Sequence, residues 1–358
     1  MTAPTLGIEE EFLLVDARTG AVCDSGDRVV ARAEERGDDS VEHEMRDAMV
    51  ETGSAACADL AGAAREVRRR RQAVVAAARD AGARVLASGS HPTADPTTAP
   101  FAADDRYARI ARDYGASAAA ALVCGCHVHV SIPDRGTGVA VLDRIRPWLA
   151  VLLAVSANSP LWRGADTGHA SWRRQVWDGW PAAGPTGVFG TLERYERLGR
   201  MLVATTAALD DGMLYYDARL SAKYPTVEVR VADVCLDPDD AVLVAALSRA
   251  LVMTALAQLD APPPDVPVEV LRGASWVASR HGIRGLLVDP DALEARPARE
   301  VLAGLRRHVA EALERTGDGD EVDDGLARVV RRGTGADAQR AAFARGGADA
   351  VLETVGLD

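Results

Sequence analysis

Lysine is almost missing from this chain of 358 residues: Lys223 is the single one, and every other Lys/Arg position is arginine. That excludes a P-loop, which needs Gly-Lys-Ser/Thr, because Lys223 lies in Ser-Ala-Lys-Tyr. If a nucleotide is handled, metal ions and arginines must hold its phosphates. Positive charge is also scarce overall. A net charge of −12 argues against a nucleic-acid partner, which asks for a basic face. The basic run 68–71 reads as the solvated face of a helix. No apolar run reaches the roughly 18 residues of a membrane helix, and the first strand starts too early to leave room for a signal peptide. Five cysteines, an odd number, make no disulfide framework. The expectation is a cytoplasmic protein without membrane or nucleic-acid partners. Its 48% hydrophobic and 26% charged residues are those of a globular protein. The length allows one large domain or two ordinary ones.

What is present is a device repeated on three strands. Residues 6–15 read LGIEEEFLLV. With side chains alternating faces, Glu9, Glu11 and Leu13 share one face, and Ile8, Glu10, Phe12 and Leu14 the other. Neighbouring carboxylates in an apolar strand repel one another and are costly to desolvate. A multivalent cation between two of them resolves this; an edge strand with surface glutamates would read alike. Residues 122–132, LVCGCHVHVSI, put His127 and His129 on one face and Cys124, Cys126, Val128 and Val130 on the other. Residues 226–234, TVEVRVADV, put Glu228 and Arg230 on one face with valines behind. The three fronts carry only Glu, His and Arg as ionisable groups: hard metal ligands and a phosphate clamp.

Between these strands, Glu44 and Glu51 stand seven residues apart. That spacing gives one face of a helix but opposite faces of a flat strand, so a strand there needs a bend or bulge. Helices are expected at 59–81, 104–115, 139–155 and 192–209, and strands at 85–90 and 212–221. Arg106 and Tyr107 open the second of these helices, and Arg219 lies on the last of these strands. Residues 156–190 lack a period yet hold four of six tryptophans. They read as the wall of a cleft, with Arg173 and Arg174 as candidates for a carboxylate. Beyond residue 238 the pattern is helical. The fold class is therefore α+β: an antiparallel sheet with chemistry on one face, helices behind, and a mostly helical portion at 260–358. Nothing supports a Rossmann arrangement.

Carboxylates, imidazoles and arginines on one face suit Mg²⁺ or Mn²⁺ bridging a polyphosphate. A competing reading takes His127 and His129 with Glu9 and Glu228 as a zinc hydrolase. A third is a non-catalytic module that binds a metal or an anion.

These residues also carry a resemblance. GIEEEF (7–12), the Glu44/Glu51 pair, GSHP (89–92), CGCHVHV (124–130), SANSP with DTGHASWR (156–173), DARLS (217–221), TVEVRVAD (226–233) and SRHG (279–282) occur in family order. The chain resembles the bacterial carboxylate-amine ligases of the YbdK type, also called glutamate–cysteine ligase type 2. It departs at Ser90, where threonine is common, and in the CGC context of the histidine strand.

The resemblance covers nearly the whole chain and implies a single catalytic domain, 1–358, with a glutamine-synthetase-like sheet shaped as a funnel. It implies ATP with Mg²⁺ and an acyl-phosphate attacked by an amine, most simply glutamate and cysteine giving γ-glutamylcysteine. A different amine acceptor is the alternative, and a hydrolase using His127/His129 the more distant one. Glu9, His127 and Glu228 look like one metal site, and Glu11, Glu51 and Glu44 like its neighbours. Arg230, Arg219 and Arg280 look like nucleotide or phosphate contacts, the first two catalytic. Arg173, with Arg106 and His129, looks like a substrate contact. Sibling proteins suggest a homodimer.

Cys124 and Cys126 fall behind the histidines, and Cys-x-Cys is too tight for the usual zinc spacing. Replacing both with valine should leave metal content, read by elemental analysis, unchanged; loss of a bound metal would contradict their reading as packed thiols.

Overall fold

Strand β1 (Leu6–Asp16) is the axis of the sheet in the computed structural model, which describes residues 3–357. The other strands are β2 (Val41–His43), β3 (Met49–Gly53), β4 (Ala83–Leu86), β5 (Gly125–Ser131), β6 (Leu161–Trp162), β7 (Ala165–Asp166), β8 (Ala218–Leu220), β9 (Thr226–Asp233), β10 (Leu286–Val288), β11 (Ala295–Pro297) and β12 (Gly356–Leu357). The main sheet runs β12-β4-β1-β5-β9-β8, with β3 added to β1 and β2 to β3. β6 with β7 and β10 with β11 are separate ribbons. Each of these ladders is antiparallel.

The register explains the sheet's shape. Glu9 and Glu10 pair with β5 on one edge and with β3 on the other, whereas Leu13 pairs with β3 and with β4. So β5 and β4 take turns on the same edge of β1 and part company near Glu11 and Phe12. The sheet opens there instead of lying flat.

Among the described residues thirteen α-helices accompany it: α1 (Gly26–Glu35), α2 (Leu60–Asp80), α3 (Asp105–Ala120), α4 (Arg135–Ile145), α5 (Leu149–Ser156), α6 (Trp172–Trp177), α7 (Leu192–Ala204), α8 (Pro238–Ala257), α9 (Val268–His281), α10 (Ala298–His308), α11 (Ala310–Thr316), α12 (Gly319–Arg332) and α13 (Gly335–Val355). The α+β plan read from the sequence is the one observed. Behind β1 and β5, Leu6, Ile8, Cys126, Val128 and Val130 join the apolar cluster of α4, α5 and α8, which also takes Val301, Leu305, Val322 and Val329 of the C-terminal helices. Cys124 and Cys126 are fully buried among apolar side chains.

Several expectations need correction. The helix read at 139–155 is two, α4 and α5, separated by a 3₁₀ turn at Arg146–Trp148, because Pro147 has no N–H to continue the ladder. Helix α3 runs on past residue 115 through a kink at Gly115, whose φ is 49°. The span 156–190 contains α6 and the β6–β7 ribbon. An apolar helix of membrane-spanning length does exist: α8 has 20 residues, with 78% of its most apolar window buried inside the protein. Its Arg249 donates to Asp318 and to the carbonyl of Ala58.

Helix α2 starts where Asp59 caps it, its carboxylate accepting from the Gly62 N–H. Its buried stripe is Leu60, Ala63, Val67, Arg71, Val74 and Ala78, a helical spacing of three and four. Arg71 is in that stripe, so the basic run is not wholly solvated. Its guanidinium meets Glu10 on the back of β1 at 2.9 and 2.6 Å and donates to the carbonyls of Leu236 and Cys235. Glu10 is thereby a structural group. Removing one partner of such a buried pair strands the other. Arg71→Met should cost roughly 3–5 kcal/mol in urea unfolding, and Arg71→Met with Glu10→Leu should recover much of it. A single-variant loss no larger than a surface substitution would refute this.

Candidate active site

The register of the sheet delivers the functional groups in facing pairs. Glu11 lies opposite Glu51, Glu9 opposite His127, His129 opposite Glu228, and Glu228 opposite Arg219. Facing residues in an antiparallel ladder project to the same side, so all of these enter one cavity of about 420 Å³. A register shift between Cys126 and Val128 leaves His127 outside the β5–β9 pairing. Glu44 arrives differently: the chain between Glu44 and Glu51 turns back on itself, making β2 and β3 a hairpin. The bend that the seven-residue spacing required is a whole turn.

Inside the cavity, His129 Nε2 is 3.1 Å from Glu9 Oε1, and the two nitrogens of His127 lie 3.5 Å from Glu9 and from Glu11. Three sets of donors converge to within 4.8 Å: Glu9, His129 and Glu228; Glu9, Glu51 and His127; Glu11, Glu44 and Glu51. The grouping differs in part from that expected. His129, expected to touch substrate, stands with Glu9 and Glu228, while His127 stands with Glu9 and Glu51.

The donor set fits hard divalent cations. Nε2 of His127 and Nε2 of His129 are both buried without a hydrogen-bond partner, although each lies beside a carboxylate. The Nδ1 of His129 lies 2.8 Å from Thr226 Oγ1, which lets Nδ1 carry the proton and leaves the Nε2 lone pair for a cation.

The cluster is electrostatically lopsided. Burial pushes Glu9 upward, but the imidazoles of His127 and His129 beside it outweigh that and hold Glu9 well below the usual carboxylate range. Glu228 is likewise buried, yet Arg230 and Arg219 hold it low. Arg219 grips Glu228 at 2.8 and 3.1 Å, and Arg230 donates to the same carboxylate. On the other side no guanidinium grips a carboxylate among the described residues, and the charge of Arg230 and Arg106 only partly offsets burial. Burial and then repulsion from Glu11 push Glu44 up to about 7. Burial, Glu9, Glu44 and Glu11 push Glu51 well up.

The remaining expected residues divide. Arg106 lines the cavity, its guanidinium held by Asp210 at 2.7 and 2.9 Å. Arg173 does not line it and is only 2% exposed, which corrects its reading as a substrate contact. It lies across Gly125, where a Cβ would come within 2.3 Å of its Nη2, and faces Asp233 at 3.9 Å. Gly125 in turn donates its N–H to Glu11. Arg174 is buried against Asp217 and Asp178. Arg280 is exposed on α9 beside Gly168 and does not line this cavity. His91 is a buried turn residue accepting from the N–H groups of Thr93 and Ala94. Sequence reasoning missed Asp210, Tyr215 and Tyr224 on the cavity wall, since none sits in an alternating pattern.

The fold is shared with solved ligases. A bifunctional glutathione synthetase from Pasteurella multocida superposes with a TM-score of 0.73 over 99% of this chain and 51% of that one, at 16% identity. A glutamate–cysteine ligase from Francisella tularensis, solved in complex with AMP, superposes with a TM-score of 0.68 over 99% and 88%, at 14% identity. At such identities the likeness is one of fold. Sequence carries it further: residues 5–353 match glutamate-cysteine ligase family 2 (GCS2). A protein of Frankia alni named "Putative glutamate--cysteine ligase 2-2" is 46% identical over 98% of this chain and 96% of its own length. The chain belongs to glutamate-cysteine ligase family 2 and is a ligase enzyme.

The raised Glu44 has a consequence for stability. Between pH 4.5, the ordinary value, and about 7, the native state keeps a proton that the unfolded chain has lost, so this group's contribution to stability falls as pH rises through that window. Glu9 and Glu228, shifted the other way, act below it. Glu44→Gln should therefore gain stability over the parent between pH 5 and pH 8, on the order of 2 kcal/mol. Urea midpoints at the two pH values read it, and a difference that does not change with pH would count against the raised value.

Proposed function

We propose that the enzyme joins a carboxylate to an amine at the expense of ATP, through an acyl-phosphate. The observation that carries this is the single cavity in which seven ionisable donors, Glu9, Glu11, Glu44, Glu51, His127, His129 and Glu228, stand beside Arg219 and Arg230. The three donor sets would hold Mg²⁺ or Mn²⁺, which supply charge neutralisation to a polyphosphate and polarise its phosphoryl oxygens. Family membership favours glutamate as the acid and cysteine as the amine.

The chain's own groups have definable tasks in such a reaction. The acid's carboxylate oxygen attacks the terminal phosphorus and ADP leaves; the amine nitrogen then attacks the acyl carbon, and phosphate and a proton depart. Negative charge gathers on the transferring phosphoryl oxygens. Arg230 meets Glu228 directly and lies 3.4 Å from His127 Nδ1, so its guanidinium adjoins two of the donor sets. It presents fixed, permanently charged donors to the phosphoryl group. Arg219, with its remaining donors on the carbonyls of Gly212 and Leu214, holds Glu228 in place. Arg106 and Asp210 form a paired cation and anion on the cavity wall, a complement to the two ends of an amino acid. The wall formed by Tyr107, Trp177, Trp180 and Tyr215 keeps water from an activated acyl group.

Arg230→Lys should lower turnover roughly 10²-fold or more, the scale for removing one transition-state donor, while ATP affinity by calorimetry changes far less. ADP release is followed with glutamate and other acids against a panel of amines, with Mg²⁺ present. Parent-like turnover in the variant would remove Arg230 from the mechanism. Hydrolysis without ATP, or full turnover after chelation, would replace the ligase reading with another.

A further inference from the structure

We infer that Lys223 is an anion-gripping residue of this site, engaging the phosphate tail of the nucleotide at a mouth shared by two chambers; the inference rests on the ligase reading above. Beside the first cavity lies a second of about 480 Å³, walled by the start of β1, by Thr52, Gly53 and Ser54, and by Thr226. The two share Glu9, Glu51, His129, Lys223 and Tyr224. Any ligand long enough to reach from the second chamber to the donor cluster passes these five residues. A nucleoside triphosphate has that length and brings its charge at one end.

The cations of the first chamber differ in what they are free to do. Arg106 is tied to Asp210, and Arg219 and Arg230 are tied to Glu228. Among the described residues Lys223 meets only Glu42, at 3.9 Å, and its side chain is 76% exposed. Two exposed partners at that distance contribute little. The backbone beneath it is fixed. Ser221 Oγ accepts from the N–H groups of Lys223 and Tyr224 at 3.2 Å, and the Thr226 N–H closes the turn onto Tyr224 O at 2.8 Å. Tyr224 sets its ring edge-on to His129 with centroids 5.9 Å apart. The turn is thus anchored at the donor cluster while the ammonium is free on its four-carbon stem.

Chemistry explains why lysine stands here in a chain that otherwise uses arginine. Fixed forks suit buried, bidentate pairing, whereas a phosphate that moves during transfer is better met by a flexible point charge with three rotatable donors.

The test compares Lys223→Met and Lys223→Arg with the parent by steady-state kinetics. A charge-assisted hydrogen bond is worth about 1.5–3 kcal/mol, so Lys223→Met should raise KM for ATP roughly tenfold or more. The change in kcat should be smaller, the KM for glutamate unchanged, and Lys223→Arg should restore part of the loss. Because Lys223 carries the only ε-amine in the chain, an acylating reagent followed by peptide mass analysis reads the same contact directly. ATP with Mg²⁺ should protect Lys223 and glutamate alone should not. Protection by glutamate alone, with a raised KM for glutamate, would assign the ammonium to the acid's carboxylate and overturn the phosphate assignment. An unchanged KM for ATP in Lys223→Met, or no protection by ATP, would overturn it too. Calorimetry of ATP binding separates the two readings: affinity lost in Lys223→Met while the parent makes no amide supports the contact and removes the ligase. No ATP binding by the parent removes both.

Discussion

Mutual repulsion among carboxylates on one face of β1 is the constraint to which the rest of the structure answers. Glu9 and Glu11 lie about 7 Å apart along a strand with a rise near 3.4 Å per residue, and Glu51 and Glu44 come in from the neighbouring hairpin. In a partly desolvated cavity such charges oppose folding. The sheet balances Glu228 with its own cations, Arg219 and Arg230 on β8 and β9, and sets the imidazoles of His127 and His129 on β5 beside Glu9. Glu11, Glu44 and Glu51 have no such close guanidinium pairing among the described residues. An arrangement that costs stability and is not neutralised by the protein itself marks a place for chemistry.

Holding this face in register falls to a second layer of buried polar groups. Asp233, fully buried at the end of β9, accepts from the Asn158 N–H and from the hydroxyls of Ser159 and Ser171. A Cβ on Gly89 would come within 2.8 Å of its carboxylate carbon. Arg173 spans from Asp233 to Gly125. Segments that carry the family resemblance, GSHP, SANSP, DTGHASWR and the end of TVEVRVAD, thereby meet at one carboxylate. Much of the family signature records how the sheet is assembled and not what touches substrate. Arg46 does similar service for the hairpin: it donates to the carbonyls of Pro96, Ala99, Ala118 and Ala119, fixing the turn that follows Glu44. Burial lowers this guanidinium to about 10, so it stays charged at neutral pH.

The legibility of the sequence follows these two layers. Alternation on β1, β5 and β9 is a local, period-two signal, and it placed Glu9, Glu11, His127, His129, Glu228 and Arg230 on one face. Long-range register is not local. Nothing in the spacing of His127 and His129 says which of them stands with Glu228; that depends on the bulge after Cys126. Arg173 reads as a ligand contact in the sequence because an arginine in a motif looks the same whether it grips a ligand, as a clamp would, or faces a buried carboxylate, as Arg173 does with Asp233. Arg249 interrupts the apolar run of α8, which is why no uninterrupted stretch of membrane-spanning length is read there, although its charge is met inside the protein by Asp318. Sole occurrence is a weaker signal than periodicity, yet Lys223 on the cavity rim shows that rarity of a residue type also carries position.

The lopsided field across the cavity gives the site a direction. On the β8–β9 side two guanidinium groups face a single glutamate, whereas on the β2–β3 side Glu44 and Glu51 face Glu11 with no guanidinium gripping them among the described residues. Coulomb attraction at short range and reduced dielectric is strong enough to sort ligands by sign. In the proposed reaction a polyanion would be drawn toward the arginines and divalent cations toward the hairpin, with β1, β5 and their imidazoles between. A phosphoryl group in that reaction would meet the guanidinium groups of β8 and β9 on one side and, on the other, a divalent cation that Glu11, Glu44 and Glu51 would hold. The order of strands in the sheet, β3-β1-β5-β9-β8, is thus an order of charges, acidic at the hairpin and basic at β8 and β9.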